Sequence, residues 1–220
     1  GEGKYTFNNI PEGKEDFSAT VTANTPNLDI PAEIPNVKLI LSSRTEPFTV
    51  TTAKKDTNVD LICDQSKSYD INLSPSSENI NLKGTGTINL EPTQDADQIK
   101  INKLSPQGDS GITINSEKSN IDIDKVQVFR KSKIVGQSDK TTTCEHVYLE
   151  GGSELDLQHV TIKDVAIGIT SVLNLASSDV NVKDTKFHIY YNRSLGVGVQ
   201  QFPINIKNVL PDFSQASIDV

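Results

Sequence analysis

The sequence LDLQHVTIKDVAIGI at residues 155–169 is followed at residues 173–189 by LNLASSDVNVKDTKFHI, which repeats its pattern. The numbering advances by 20 from Val160 to Val180, and by the same interval from Lys163 to Lys183. A partial third copy, INIKNV, follows at residues 204–209. Each full copy contains three short segments of alternating apolar and polar residues separated by turns. This pattern is typical of one coil of a β-solenoid.

A similar polar–apolar–polar–apolar frame recurs upstream of this block at intervals of 19 to 22. Its copies begin at Asn36, Asn58, Asn79, Gln98 and Asn120. Shorter apolar segments lie between or just after them, at residues 48–50, 71–73, 88–90, 112–114 and 126–128. Stacked coils would place Val37, Val59, Ile80, Ile99 and Ile121 in one interior column. Leu39, Leu61, Leu82, Ile101 and Ile123 would form a second column. We expect the recurrent asparagines at the coil corner to form side-chain amide ladders.

The pattern predicts an all-β fold, a right-handed parallel β-helix over residues 31–220. Residues 1–30 do not carry the repeat, and their turn chemistry predicts a β-hairpin cap or the end of a preceding β-sandwich. Two polar stretches are interpreted as connections, the join at residues 104–108 and an inserted loop at residues 130–143. The alternative is a tandem β-sandwich, because short strands also suit that fold. A sandwich gives no reason for a direct repeat in the sequence.

The composition limits the function. The 220-residue chain has a net charge of −8, and its 21 basic residues are scattered, which argues against nucleic-acid binding. No stretch approaches the roughly 20 apolar residues of a transmembrane helix. Cys63 and Cys144 would lie about four coils apart, roughly 19 Å at the spacing of stacked strands. Since this is too far for a disulfide, we expect two buried thiols.

The chain starts with Gly-Glu-Gly-Lys and contains no Met, so we expect it to be a processed piece of a longer precursor. An export signal or anchor is expected upstream. The expected location is therefore extracellular or at the cell surface.

Residues 36–209 resemble the pectin-lyase-like superfamily of right-handed parallel β-helices, through the irregular length of their recurring coils. The resemblance implies either a polysaccharide lyase or hydrolase, or a non-catalytic surface protein such as an adhesin. The Asn-Thr-Asp, Asp-Asp, Gly-His-Gly and Arg-Ile-Lys motifs of galacturonases are all absent. We assign no catalytic residue, and we favour a non-catalytic protein that binds a polysaccharide or a cell-surface glycoprotein over the alternative of an enzyme.

The candidate ligand-binding residues are concentrated near residues 188–193, which read HIYYNR. Two adjacent tyrosines are notable in a chain with 5% aromatic residues, and exposed aromatic faces with a forked donor suit sugar binding. The candidates are Tyr148, His188, Tyr190, Tyr191 and Arg193. His146 is expected to face outward, as His188 does. The histidine spacing shows no converging metal-ligand set, so neither a metal nor a cofactor is expected.

Overall fold

The structure is a computed structural model in which residues 16–21, 27–41, 48–53, 57–63, 68–73, 79–93, 96–108, 111–175, 180–189, 204–206 and 214–219 are described. Over these residues the fold is all-β and consists of two sheets. The 10-stranded sheet contains, in spatial order, β1 (Asp16–Val21), β3 (Asn36–Leu41), β5 (Asn58–Cys63), β7 (Asn79–Gly84), β9 (Gln98–Pro106), β11 (Asn120–Val128), β13 (Thr142–Leu149), β15 (Thr161–Ile167), β17 (Lys186–Ile189) and β19 (Ser217–Asp219). The 9-stranded sheet contains β2 (Leu28–Ile30), β4 (Phe48–Thr52), β6 (Ser68–Leu73), β8 (Gly86–Pro92), β10 (Ile112–Asn115), β12 (Lys131–Val135), β14 (Glu154–Gln158), β16 (Val172–Leu175) and β18 (Ile204–Ile206).

The chain passes alternately between the sheets, so each coil contributes one strand to each. The strand pairs of the described residues are parallel throughout, for example β13 with β15 and β14 with β16. The predicted parallel β-solenoid is therefore confirmed. The tandem β-sandwich is excluded, because its strands would pair antiparallel. No helix long and apolar enough to cross a membrane occurs among the described residues.

Apolar residues from successive strands stack inside the solenoid, but their register differs from the prediction. Leu82 pairs with Leu104, not with Ile101. The resulting interior column of the 10-stranded sheet consists of Leu39, Leu61, Leu82, Leu104, Val126, Val147, Val165 and Phe187. Ile101 and Ile123 are also buried, and they pair with each other one segment earlier in the coil.

This shift follows from the long strands β9, β11, β13 and β15. In the middle of each strand, two successive residues are partly or fully exposed, as at Glu145–His146 in β13 and Lys163–Asp164 in β15. Simple alternation would place one of each pair inside. The alternation of inward and outward side chains is therefore displaced by one residue in the middle of each strand. Inward residues before and after this displacement belong to different interior columns.

Within the repeated block at residues 155–189, the number of residues between paired positions of adjacent strands also varies. Leu155 pairs with Leu173 and Thr161 pairs with Asn181, so the interval between paired positions increases from 18 to 20. Val165 pairs with Phe187, which extends the interval to 22. The change from 20 to 22 arises where Lys183 and Asp184 form a turn, with Asp184 at a φ of 63°.

Both connections assigned from the sequence prove to contain strand residues. The interpretation of residues 130–143 as a loop is wrong, because Lys131–Val135 is β12 and pairs with β10 and β14. Its inward residues are Ser132 and Ile134, and the small polar Ser132 hides the alternation. Residues 104–106 complete β9, with all three residues buried. In the same way, the apolar segment at residues 126–128 is the end of β11 and not a separate strand.

Parallel stacking is also present among the described residues before residue 31. β1 pairs in parallel with β3 from Asp16 to Val21, and β2 pairs with β4. Residues 1–15 lie outside the described residues, so the hairpin expected there and the boundary near residue 30 stay predictions. Cys63 and Cys144 are both buried and lie four strands apart in the 10-stranded sheet, and no disulfide joins them.

Amide ladders do occur on the outer surface. The Asn81 side chain donates to Asn58 at 2.7 Å and accepts from Asn102 at 3.0 Å, so one ladder spans three strands. A second ladder connects Asn115, Asn89 and Asp70 in the other sheet. Of the asparagines that open the predicted frame, Asn58 belongs to such a ladder, and its partner Asn81 lies in the middle of the neighbouring strand β7.

Candidate functional site

The candidate site lies on the outer face of the 10-stranded sheet, where β13, β15 and β17 are adjacent. Along β13, Tyr148 is 43% exposed, while its neighbours Val147 and Leu149 are buried. Pairing places Tyr148 beside Ala166 and places Ala166 beside His188. An aromatic ring and an imidazole therefore flank a residue whose side chain is a single methyl group.

Ala166 and Gly168 form the floor of a depression that we call the Ala166 slot. Both residues are partly exposed, and neither has a side chain longer than a methyl group. Tyr148 lies on one side and His188 on the other. Because neighbouring strands are about 4.8 Å apart, the backbones of β13 and β17 are separated by roughly 10 Å. This width admits a ring-sized ligand group between the two side chains.

Backbone packing requires the glycine in this floor. A Cβ on Gly168 would lie 2.6 Å from the carbonyl oxygen of Leu149 and 3.1 Å from the amide nitrogen of Gly151. Gly168 N–H donates to the same Leu149 oxygen at 2.8 Å. The close approach that satisfies the hydrogen bond therefore leaves no room for a side chain at this end of the slot.

Asp164 closes the opposite end of the slot. Its Oδ2 lies 3.4 Å from His146 Nδ1, and its Oδ1 lies 3.0 Å from His188 Nε2. His188 Nδ1 is also 3.6 Å from Asp219 Oδ2. Asp164 thus lies between the two imidazoles, next to the exposed side chain of Tyr148.

No protein-family model, curated protein or solved structure matches this chain. The functional assignment consequently depends on the geometry and chemistry of the slot and of its surroundings.

A second polar group lies beside the slot, where the alternation of the long strands is displaced. Burial, a hydrogen bond with the Asp122 side chain and the negative charge of Asp122 raise the pKa of Glu145, and Lys163 and His146 oppose the increase. Asp122 Oδ1 is buried and has no hydrogen-bond partner. Burial, reinforced by the charges of Asp122 and Glu145, also raises the pKa of the Cys144 thiol to about 12. The thiol therefore stays protonated and is a poor nucleophile at neutral pH.

No group of three or more His, Cys, Asp and Glu side chains is arranged to hold a metal ion in the part of the chain that the structure describes. The slot presents an exposed aromatic side chain, two imidazoles and a carboxylate.

The structure brings together two of the five predicted site residues. Tyr148 and His188 lie on the same face, two strands apart, with Ala166 between them. Tyr190, Tyr191 and Arg193 lie outside the described residues, and their assignment stays a prediction.

Sequence reasoning missed three contributors to the slot. Asp164, Ala166 and Gly168 are not among the candidates chosen from the sequence, and neither Ala166 nor Gly168 has a chemically distinctive side chain. The pairing between β15 and β17 places His188 beside Ala166.

Proposed function

We propose that this chain is a non-catalytic, extracytoplasmic β-solenoid domain that binds a glycan, either a polysaccharide or the sugar chain of a cell-surface glycoprotein. One observation carries the proposal: the exposed Tyr148 ring and the Asp164-bound His188 flank the small floor residue Ala166. A sugar ring has a weakly polar face of C–H groups and a rim of hydroxyl groups. The slot offers an aromatic surface for the first and oriented donors and acceptors for the second.

The geometry of Asp164 and His188 supports a hydroxyl-rich ligand. The Asp164 carboxylate has more acceptor sites than the two imidazoles occupy, so it can also accept hydrogen bonds from ligand hydroxyls. The contacts of the imidazoles with Asp164 restrict their rotation, and such restriction reduces the conformational entropy lost on binding.

Affinity electrophoresis through gels that contain soluble polysaccharides tests this proposal, together with a glycan array for glycoprotein sugars. Ala166→Leu fills the slot, and we expect it to weaken binding at least tenfold. Thr113→Leu adds a bulky side chain at a partly exposed position of the other sheet and serves as the matched control. The proposal is wrong if the wild-type protein binds no glycan, or if Ala166→Leu binds as well as Thr113→Leu.

The proposal includes membership of the pectin-lyase-like superfamily and an extracellular or cell-surface location. The parallel pairing of irregular coils supports the superfamily. Fractionation of the source cells with an antibody against the domain tests the location, and recovery solely with cytoplasmic markers contradicts it.

The second candidate is a polysaccharide lyase or hydrolase. The raised pKa of Glu145 favours it, because a general acid needs a pKa above the ordinary value of a carboxyl group. However, Glu145 and Asp122 share a hydrogen bond, whereas the two carboxyl groups of glycosidases are about 5 Å or more apart. Incubation with the same polysaccharides, followed by assays for new reducing ends and unsaturated products, distinguishes the candidates. Turnover that is lost in Glu145→Gln would establish the enzyme.

A further inference from the structure

A second exposed aromatic residue lies next to the slot. Phe129 is 57% exposed and follows Val128, the last residue of β11. Val128 pairs with Leu149, and Glu150 N–H donates to the Val128 carbonyl oxygen at 3.0 Å. Phe129 is therefore a neighbour of Glu150 and lies diagonally across from Tyr148 on the adjacent strand.

Two polar residues occupy the other diagonal of this surface. Gln127 pairs with Tyr148, and Gln127 Nε2 donates to Glu150 Oε1 at 3.2 Å. Gln127, Phe129, Tyr148 and Glu150 thus form a four-residue group that we call the aromatic lattice. Its aromatic side chains occupy two opposite corners, and a hydrogen-bonded amide and carboxylate occupy the other two.

We infer that Phe129 is a second sugar-stacking residue, and that the ligand is a neutral polysaccharide chain running from the Ala166 slot across the aromatic lattice. This inference depends on the proposed glycan-binding function and specifies its ligand class. The diagonal from Tyr148 to Phe129 is about 8 Å between backbones, and the distance from Ala166 to Phe129 is about 12 Å. A single sugar ring cannot reach from the slot to Phe129, whereas consecutive sugars of a chain contact both.

The charges of this surface favour a neutral chain because they offset one another. Glu150 in the lattice and Asp164 in the slot are carboxylates, while the exposed Lys186 pairs in register with Asp164 and the exposed Arg130 follows Phe129. Hydroxyl groups of a neutral sugar donate to these carboxylates, and offsetting charges give a uronate or sulfate chain no net attraction. A protein partner is the competing occupant, and the test separates the two.

Affinity electrophoresis with galactomannan, xyloglucan, hydroxyethylcellulose and polygalacturonate identifies the neutral polymer that is bound. Calorimetry then uses oligosaccharides of one to six sugars from that polymer. We expect affinity to rise with chain length, and Phe129→Ala to lower hexasaccharide affinity about fivefold to tenfold while changing monosaccharide affinity less than twofold. Phe129→Tyr keeps the stacking face and should retain the affinity.

Ile169→Ala is the matched control. Ile169 is 47% exposed and lies beyond Gly168 at the same corner, but it has no aromatic face. We expect this variant to bind as the wild type does. Because both positions are largely exposed, neither change should shift the urea midpoint appreciably.

Each other result overturns the inference. Equal binding of wild type and Phe129→Ala to the hexasaccharide overturns the stacking role of Phe129, while loss in Ala166→Leu would still leave the proposed function intact. An equal loss in Ile169→Ala, or stronger binding to polygalacturonate, contradicts the assigned chemistry. Absence of binding to all polymers and to the glycan array overturns the proposed function as well, and leaves the protein partner as the occupant.

Discussion

Replacement of Gly168 by Ala tests the packing beneath the slot most directly. The added Cβ would lie 2.6 Å from Leu149 O and 3.1 Å from Gly151 N, both of which are backbone atoms. Gly168 does not have the positive φ that disfavours L-residues, so the effect is steric. The methyl group can be accommodated only if β15 and β13 move apart at this point.

The expected loss of stability follows from these contacts. Separation of the strands stretches the 2.8 Å bond from Gly168 N–H to Leu149 O. Overpacking costs about 1–3 kcal/mol, and the weakened hydrogen bond adds up to about 1 kcal/mol. We therefore expect Gly168→Ala to lower the free energy of unfolding by about 1–4 kcal/mol.

Gly151→Ala provides the control on the adjacent coil. The nearest atom to its added Cβ is Ile169 O at 3.4 Å, which is an ordinary contact. Restriction of the unfolded chain should make this variant neutral or more stable by about 0.4–1 kcal/mol.

Urea unfolding followed by far-UV circular dichroism measures both variants against the wild type. Equal slopes with different midpoints would indicate a change in stability alone. The steric explanation is refuted if the free energies of unfolding of Gly168→Ala and Gly151→Ala differ by less than about 0.5 kcal/mol.

Three further predictions concern strain and charge. Thr170 has a φ of 63° and occupies the same turn position as Gly152 of the preceding coil. Thr170→Gly should relieve this backbone strain and raise the free energy of unfolding in urea by about 1 kcal/mol. A decrease would contradict the claim that the backbone is strained at this position. Burial raises the pKa of Cys144 to about 12, so iodoacetamide at pH 8 should alkylate this thiol only after the protein unfolds. The free energy of unfolding should also fall as the pH rises from the pKa of the unfolded thiol toward 12, because only the unfolded chain then loses the proton. The pKa of Glu145 is raised in the folded protein, so stability should fall as the pH rises above the ordinary pKa of a glutamate and the side chain ionises. Glu145→Gln should therefore increase the melting temperature at pH 7 but not at pH 3. An equal increase at both pH values would refute the role of charge.

Most of the fold could be predicted from the sequence, because each short segment shows the alternation of apolar residues without reference to distant parts of the chain. Four of the shorter apolar segments coincide with β4, β6, β8 and β10. The pattern failed at β12, where Ser132 occupies an interior position and Lys131 and Lys133 face solvent. Periodicity counts apolar side chains, whereas a coil requires only that inward residues are small enough or apolar enough to be buried.

The pairing register between strands was harder to predict from the sequence than the positions of the strands. The Lys-Asp pairs are the most similar part of the repeat, yet Lys163–Asp164 lies within β15 and Lys183–Asp184 forms a turn. Identical dipeptides adopt different conformations because the following residues, Val165 and Phe187, must occupy the same interior column. Burial of those two side chains overrides the local similarity.

The site shows the same limit. Tyr148 and His188 could be predicted from residue type and their outward positions. The slot between them depends on a pairing at an interval of 22, whereas the sequence repeats at 20. The proposed role of Ala166 is to leave space for a ligand, because its side chain is only a methyl group. A small residue of this kind is not recognisable as part of a site in a single sequence.

The stacking of coils also determines how the domain responds to mechanical force. β1 and β19 lie at opposite ends of the 10-stranded sheet, so tension applied between them acts along the interstrand hydrogen bonds. Bonds loaded in this direction break a few at a time, and the coils should therefore peel off in sequence. A coil of 18 to 22 residues would release roughly 60–80 Å of chain, giving separate steps under a pulling probe. The Asn58–Asn81–Asn102 ladder runs along the same axis and would raise the force at the coils that it connects.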